Sequence, residues 1–424
     1  MKQKLQDFIT QHQAEIIQLG TELFENPELG FKEYKTKERI RQFLDEINIK
    51  IEKEYCETGF QITLGQGKPH IGLLAEMDAI VTPNHRCATN PDKAAHSCAH
   101  STQMAIMLGA MWAIQQTGLL NNNQGSVTLF FSPAEEFVDL DYRKDLIRQG
   151  RIRYLSGKEN MLMEHCFDDV DCIIHLHAMG EYHGYRYNVN SQLAGFVYKK
   201  YHFLGKGAHA AVLPHEGHNA LNMFTLFQSA TAMLRETFKE EDINRIHGIV
   251  THGGDSVNTI PSEVVYESYV RSFNPTQLQK LSNQLNDTAK HCAMALGGDC
   301  QIEVIPGYLP FIQNRDLSEV VYNNMLNFVD AKEIMTEERS VAAGDIGDLG
   351  CFVPTIQFGY TGFVGTIHGS NLEILEPENV YINPAKIVAM SVCDLIENPS
   401  LVEKIKENFK PTMTYEEYEA YLNQ

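Results

Sequence analysis

Four short apolar runs constrain this chain most: GFQITLG (59–65), HIGLLAEMD (70–78), SVTLFFSP (126–133) and DCIIHLHA (171–178). Each is strand-length rather than helix-length and apolar along nearly its whole run, as strands buried on both faces are. They alternate with helical segments such as Thr102 to Thr117. That pattern specifies an α/β fold, a sheet covered by helices, with its functional groups at the carboxyl ends of the strands. The same texture returns late in the chain with VPTIQFGY (353–360) and a closing helix from Asn383 to Glu397. At the amino terminus, Gln3 to Phe24 reads as one amphipathic helix stopped by ENPELG, and Thr36 to Leu44 as a second.

The middle of the chain reads differently. From about Ala194 the order is strand (GFVYKKYHFLG), helix (Asn219 to Thr237), strands IHGIVTHGG and EVVYESYVRSF, helix (Pro275 to Leu296) and strand CQIEVIPGY. This β-α-β-β-α-β order is a self-contained sandwich. The expected organisation is therefore a catalytic domain of residues 1–193 and 309–424, interrupted by an α+β domain of residues 194–308. Two domains suit a length of 424 residues.

Composition removes several function classes. The 35 Lys and Arg against 55 Asp and Glu give a net charge of −20, which opposes binding to nucleic-acid backbones or anionic membranes. The longest apolar run, Met104 to Ile114, falls short of the roughly 20 residues that a membrane span needs. Nine scattered cysteines, an odd number with no export signal ahead of them, point to free thiols in a cytoplasmic protein.

Metal-ligating side chains recur at the strand ends: Cys98 and His100 in HSCAHS, Glu135 and Glu136 in SPAEEF, His175 and His177 in IIHLHAM, and His368 in GTIHGS. A spacing of two places both side chains on one side of extended backbone, whereas the adjacent glutamates point apart, one to a metal and one to a water. Thiolate, imidazole and carboxylate together suit Zn, Co, Ni or Mn. One Cys, one Glu and three His serve two ions, roughly 3.5–4 Å apart, only if one ligand bridges, and the Cys98 thiolate suits that role by charge. Singly, each motif has a plainer reading: a core or surface histidine, or an AEE helix start. A catalytic thiol at Cys98 is the other chemical reading, but His100 is too close along the chain to be its base, and the glutamate pair would have no part.

The ordered motifs NPELGFKEYKT, AEMDAI, HSCAHS, SPAEE, LHA, GKGAHAAVLPHEGHNAL, NTIPSEVVYESYVRSF and TIHGS span nearly the whole chain. In this the sequence resembles the amidohydrolase branch of the aminoacylase/carboxypeptidase G metallopeptidases, which includes auxin-conjugate hydrolases and p-aminobenzoyl-glutamate hydrolases. The resemblance implies a di-metal exopeptidase-like catalytic domain, a mixed sheet flanked by helices, with an inserted ferredoxin-like lid that forms a homodimer. It implies Cys98, His100, Glu136, His177 and His368 as ligands of two divalent ions, Mn or Zn with Co or Ni as further options, and Cys98 as the bridge. Glu135 is then the general base, His209 an oxyanion stabiliser, Asn258 and Arg271 the substrate-carboxylate holders, and Asp78 a residue that orients a ligand imidazole.

The branch usually reads CGHD with a further His three residues after the ligand His. Here Ala99, Ser101 and Gln103 stand instead. The segment between Glu136 and His177 is long and carries Arg143, Arg148, Arg151 and Arg153; it reads as a surface elaboration in preference to a cationic pocket wall. The expected reaction is hydrolysis of an N-acyl or N-aroyl amino acid, and AAGDIGDLGCFVPT (342–355) lies closer to the aminobenzoyl-glutamate type. A dipeptidase and a non-catalytic metal-binding or ligand-binding relative are the alternatives.

Overall fold

Eight strands make one mixed sheet in the spatial order Lys53–Tyr55, Gly59–Gln66, Gly125–Ser132, His70–Glu76, Cys172–Ala178, Thr355–Tyr360, Tyr187–Val189, Ile334–Thr336. The four central strands, Gly125–Ser132 through Thr355–Tyr360, run parallel. Their carboxyl ends therefore lie along one edge, and they carry Pro133 onward, Met77 and Asp78, His177, and Thr361. The computed structural model that shows this describes residues 1–121 and 125–423.

Helix His100–Thr117 packs on this sheet with helices Gln13–Glu25 and Asn383–Glu397. It is buried almost all round, including its first four residues, as expected of a helix without a polar face. The helix expected at Gln3 to Phe24 is two, Lys2–Gln11 and Gln13–Glu25, broken at His12. The His12 ring packs between Phe8 and Trp112, at centroid distances of 4.4 and 4.3 Å.

Contacts divide the chain into two units: Met1–Ser191, Ile312–Glu338 and Asp348–Tyr415 form the first, and Gln192–Phe311, Arg339–Gly347 and the chain from Glu416 form the second. Residues 339–347 and the terminal segment thus group with the second unit, although the sequence reading places them in the first. Hydrogen bonds between distant parts of the sequence join them to it: Ala194 N donates to Ser340 O, Arg339 donates to Glu241 O at 2.8 Å, and the Tyr421 hydroxyl donates to Gly307 O at 2.8 Å.

The second unit has a four-stranded antiparallel sheet in the order Arg245–His252, Glu263–Ser272, Gly195–Leu204, Asp299–Pro306. Helices Ala220–Leu234 and Pro275–Ala295 cover one face. Alternating residues such as Tyr201, Phe203, Val264 and Tyr266 point into that layer and meet Phe227 and Leu285. All nine cysteines are free. Among the described residues, no helix is long and apolar enough to cross a membrane.

Candidate metal centre

Two groups of ligand-type atoms meet at the carboxyl edge of the first sheet: Cys98, His100 and His177, and Cys98, Glu136 and His368. Within each group the atoms lie within 4.8 Å of one another, and Cys98 belongs to both. Cys98 Sγ is 3.4 Å from His177 Nε2, and Glu136 Oε1 is 3.1 Å from His368 Nε2. A bond from His368 N to Ser97 O, 2.7 Å, ties the late loop to the Cys98 turn.

Backbone conformation brings these side chains together. Ala99 is left-handed at φ +66°, so Cys98 lies in a turn while His100 opens the helix. The expected extended Cys98-x-His100 pair is thus corrected: the two converge through this turn, not through strand alternation. The glutamates are likewise in an irregular loop, after Ala134 at φ +54°. Glu135 Oε2 lies 3.8 Å from His100 Nε2, while Glu136 reaches His368.

Only the histidines of IIHLHAM lie on a true strand, Cys172–Ala178. His177 joins the cluster. His175 sits one pleat deeper, with Nδ1 donating to Leu74 O at 3.0 Å and Nε2 3.3 Å from Glu76, and it belongs to neither group.

The residues fit a divalent cation. His100 Nε2 and Glu136 Oε1 are buried without a hydrogen-bond partner among the described residues. Glu136 and His368 are close but misaligned for hydrogen bonding, as expected of two donors aimed at a third point. Ligands about 2.0–2.3 Å from one ion stand roughly 3–3.7 Å apart. Burial and the neighbouring Glu136 push the Cys98 thiol well above its ordinary range; a bound cation reverses that balance and yields the thiolate.

The outward ring nitrogens are held in place. His100 Nδ1 donates to Asp78, 2.9 Å from its carbonyl and 3.2 Å from Oδ1, and His177 Nδ1 donates to Ala178 O at 3.0 Å. With Nδ1 held as the donor, the neutral form of each ring turns a bare Nε2 toward the cluster, the form in which an imidazole ligates a metal. Asp78 Oδ2 also accepts from Glu136 N at 2.9 Å, so this one carboxylate touches two members.

Glu76 escaped the sequence reading, although it closes the apolar strand HIGLLAE. It is fully enclosed: Oε1 accepts from Lys158 Nζ at 2.7 Å, and Oε2 accepts from Gln103 Nε2 at 2.9 Å and lies 3.2 Å from His100 Nε2. Burial raises its pKa, but Lys158, His175 and His100 outweigh burial and hold it well below the usual range. Gln103, at the position where the resemblance expects a histidine, also accepts from Glu76 N at 3.0 Å. Glu76, His100 and Glu135 form a third ligand-type group.

The remaining candidates lie in the second unit. His209 is exposed, and its Nδ1 accepts from the backbone N–H groups of Ala211 and Val212 at 3.3 and 3.2 Å, which places the proton on Nε2. Asn258 is exposed on the adjoining segment, where its carbonyl accepts from Ala210 N at 2.9 Å. Arg271 is half-buried: Nη1 donates to Val341 O at 2.9 Å, Nε approaches His247 Nε2 at 3.4 Å, and its plane lies over Phe196 and Tyr269.

The chain is similar to several known proteins. One of the p-aminobenzoyl-glutamate hydrolase subunits of Escherichia coli is 24% identical over 76% of this chain, which spans 64% of that relative's length. The Xaa-Arg dipeptidase of Homo sapiens is 27% identical over 82% of this chain and 74% of its own. A Bacillus subtilis protein described as a dinuclear metal binding peptidase from the M20 family has the same fold, with a TM-score of 0.68 at 18% identity over 92% of this chain and 99% of that one. The description of peptidase family M20/M25/M40 matches residues 72–392, well over half of the sequence. The chain belongs to peptidase family M20/M25/M40 and is a metal-dependent hydrolase.

Proposed function

We propose that this hydrolase cleaves the amide bond of an N-acyl or N-aroyl amino acid, releasing a carboxylate and a free amino acid. The observation that carries the reading is the sharing of Cys98 between two ligand groups, which suits two adjacent ions better than one. Similarity to the aminobenzoyl-glutamate hydrolase of Escherichia coli supports the substrate class.

In this reading Cys98, His100, Glu136, His177 and His368 would hold two divalent ions, Mn or Zn, with Cys98, common to both ligand groups, available to each. When bound, such a pair supplies Lewis-acid polarisation of the amide carbonyl and a nucleophilic water at neutral pH. Glu135, close to the cluster but outside both Cys98 groups, accepts the water's proton and returns it to the departing amine nitrogen. Asp78 keeps His100 turned inward. In the second unit, His209 offers an Nε2–H to the developing oxyanion, and Asn258 and Arg271 receive the amino acid carboxylate, for which a planar guanidinium is suited. Homodimerisation through the second unit belongs to the same reading; a solution mass near that of one chain would count against it.

The test is a turnover screen of N-acyl and N-aroyl amino acids against dipeptides with free α-amines, with Mn, Zn or Co supplied. Preference for blocked amines supports the proposal. A strict need for a free amine makes the enzyme a dipeptidase, the reading that similarity to the Xaa-Arg dipeptidase favours. Glu135→Gln should keep metal and fold yet lose about 100-fold or more in kcat; an active, metal-replete variant would remove Glu135 from its role.

A further inference from the structure

The backbone on both sides of Glu135 is gripped by buried side chains from three separate parts of the first unit. Ala134 N donates to Glu33 Oε1 at 3.0 Å, and Glu136 N donates to Asp78 Oδ2 at 2.9 Å. The carbonyls of the same two residues accept from one guanidinium, that of Arg143: Nη1 is 3.3 Å from Ala134 O and Nη2 is 2.6 Å from Glu136 O. Nη1 also donates to Leu155 O at 2.8 Å.

Arg143 lies on helix Leu140–Arg148, in the segment that the sequence reading assigns to the surface. That reading holds for Arg148, Arg151 and Arg153, which are exposed, but Arg143 is wholly buried, 5.5 Å from the Phe31 ring. Gly30 leaves the room it needs: a Cβ there would stand 2.5 Å from Arg143 Nη2 and 2.7 Å from Ala134 Cα.

Burying a guanidinium is costly unless its donors are satisfied. Among the described residues Arg143 makes no ion pair; its two Nη groups donate to main-chain carbonyls, while its buried Nε has no partner. Its contribution is geometric, because a rigid planar fork spans two acceptors at once, which a single ammonium cannot do in the same way. It spans a strained segment, since Ala134 adopts φ +54°, a conformation that an L-residue holds only when its surroundings impose it.

We propose that Arg143 is a positioning residue which, by bracing the carbonyls on either side of Glu135, aims Glu135 and Glu136 at the metal cluster. This rests on the reading of Glu135 as base and Glu136 as ligand.

The test uses the full chain with Arg143→Lys and Arg143→Met, beside the parent and Glu135→Gln. Cobalt affinity is measured by competition with a chelator, and kcat and KM separately on the best substrate of the screen. In folded variants kcat should fall about 10- to 100-fold with KM within about twofold, and cobalt affinity about tenfold, with lysine the milder change. Parental kcat together with parental cobalt affinity in a folded variant overturns the proposal. Should neither Arg143 variant fold, Gly30→Ala, which crowds both Arg143 and Ala134, must reproduce the losses in kcat and cobalt affinity; parental values there also overturn it. A parent that binds cobalt but hydrolyses no amide refutes the proposed reaction, and the cobalt titration then decides the role of Arg143 alone: weakened binding supports it, unchanged binding ends it.

Discussion

Ala99 is the residue on which the Cys98–His100 turn depends, and its left-handed conformation at φ +66° is one that glycine adopts without penalty. An L-residue there costs about 1–2 kcal/mol. Replacing it with glycine recovers that, but loses about 0.4–1 kcal/mol through the freer unfolded chain and about 0.8 kcal/mol from the buried methyl. These terms nearly cancel, which accounts physically for alanine being tolerated where the resemblance expects glycine. Ala99→Gly should therefore change unfolding free energy by less than about 1 kcal/mol in urea titrations, whereas Ala99→Val, crowded and branched at a positive φ, should lose about 2 kcal/mol or more. A large stabilisation by glycine would show that the methyl packs poorly. At this scale the sequence disclosed which side-chain types gather, because thiol, imidazole and carboxylate recur after strands. It did not disclose how they gather, because positive φ values at Ala99, Ala134 and His368 are set by tertiary surroundings and leave no period to read. Glu76 was missed because a lone charged residue in an apolar run carries no partner in its own neighbourhood; Arg143 was read as surface because it stands among the charged residues of LDYRKDLIR, where nothing local marks the one that is buried.

Between elements, the tie from helix Gly157–Met163 to strand His70–Glu76 is the buried pair Lys158–Glu76, both essentially free of solvent. Removing Lys158 withdraws a buried cation from Glu76 and leaves it to Gln103 and the neighbouring imidazoles, so Lys158→Met should cost about 3 kcal/mol, and pairing it with Glu76→Gln should recover much of the loss. Additive losses in that double-mutant cycle would mean that the two residues do not act together. In the second unit Lys199, on strand Gly195–Leu204, donates to Ser282 O at 3.0 Å and Asn286 Oδ1 at 2.6 Å on the opposing helix, and burial lowers its pKa from 10.5 to about 7. Between these values the unfolded chain holds a proton that the folded one lacks, so the stability of this unit should rise as pH climbs from 7 towards 10.5 and level off below 7. Melting curves at stepped pH check this, and Lys199→Met should flatten the slope. Elements of this kind were largely legible: HIGLLAEMD and DCIIHLHA are strands His70–Glu76 and Cys172–Ala178 because apolar runs of that length have few other ways to be buried. The split at His12 was not, since the helical period continues across it while the ring turns inward to Trp112.

Across the whole molecule, each unit has its own apolar core: one beneath the large mixed sheet, the other between the antiparallel sheet and its two helices. The candidate ligands come from four separated segments of the first unit, at 98–100, 136, 177 and 368, which an ion pair would join at one point. Ions that bind only the folded form stabilise it by RT ln(1 + [L]/Kd), about 2.7 kcal/mol per site at a hundredfold excess over Kd. Stripping the metal should therefore lower the melting transition of the first unit by several degrees, while the second, which supplies none of these ligands, keeps its own. Calorimetry of metal-loaded and chelator-treated protein should resolve this as one shifted and one fixed transition. The fixed one is identified by its response to Lys199→Met, which alters the second core alone. Metal-insensitive melting of both units would argue against ion binding at the cluster. One transition that moves as a whole would mean instead that the two units unfold together, with the ions stabilising both through that coupling.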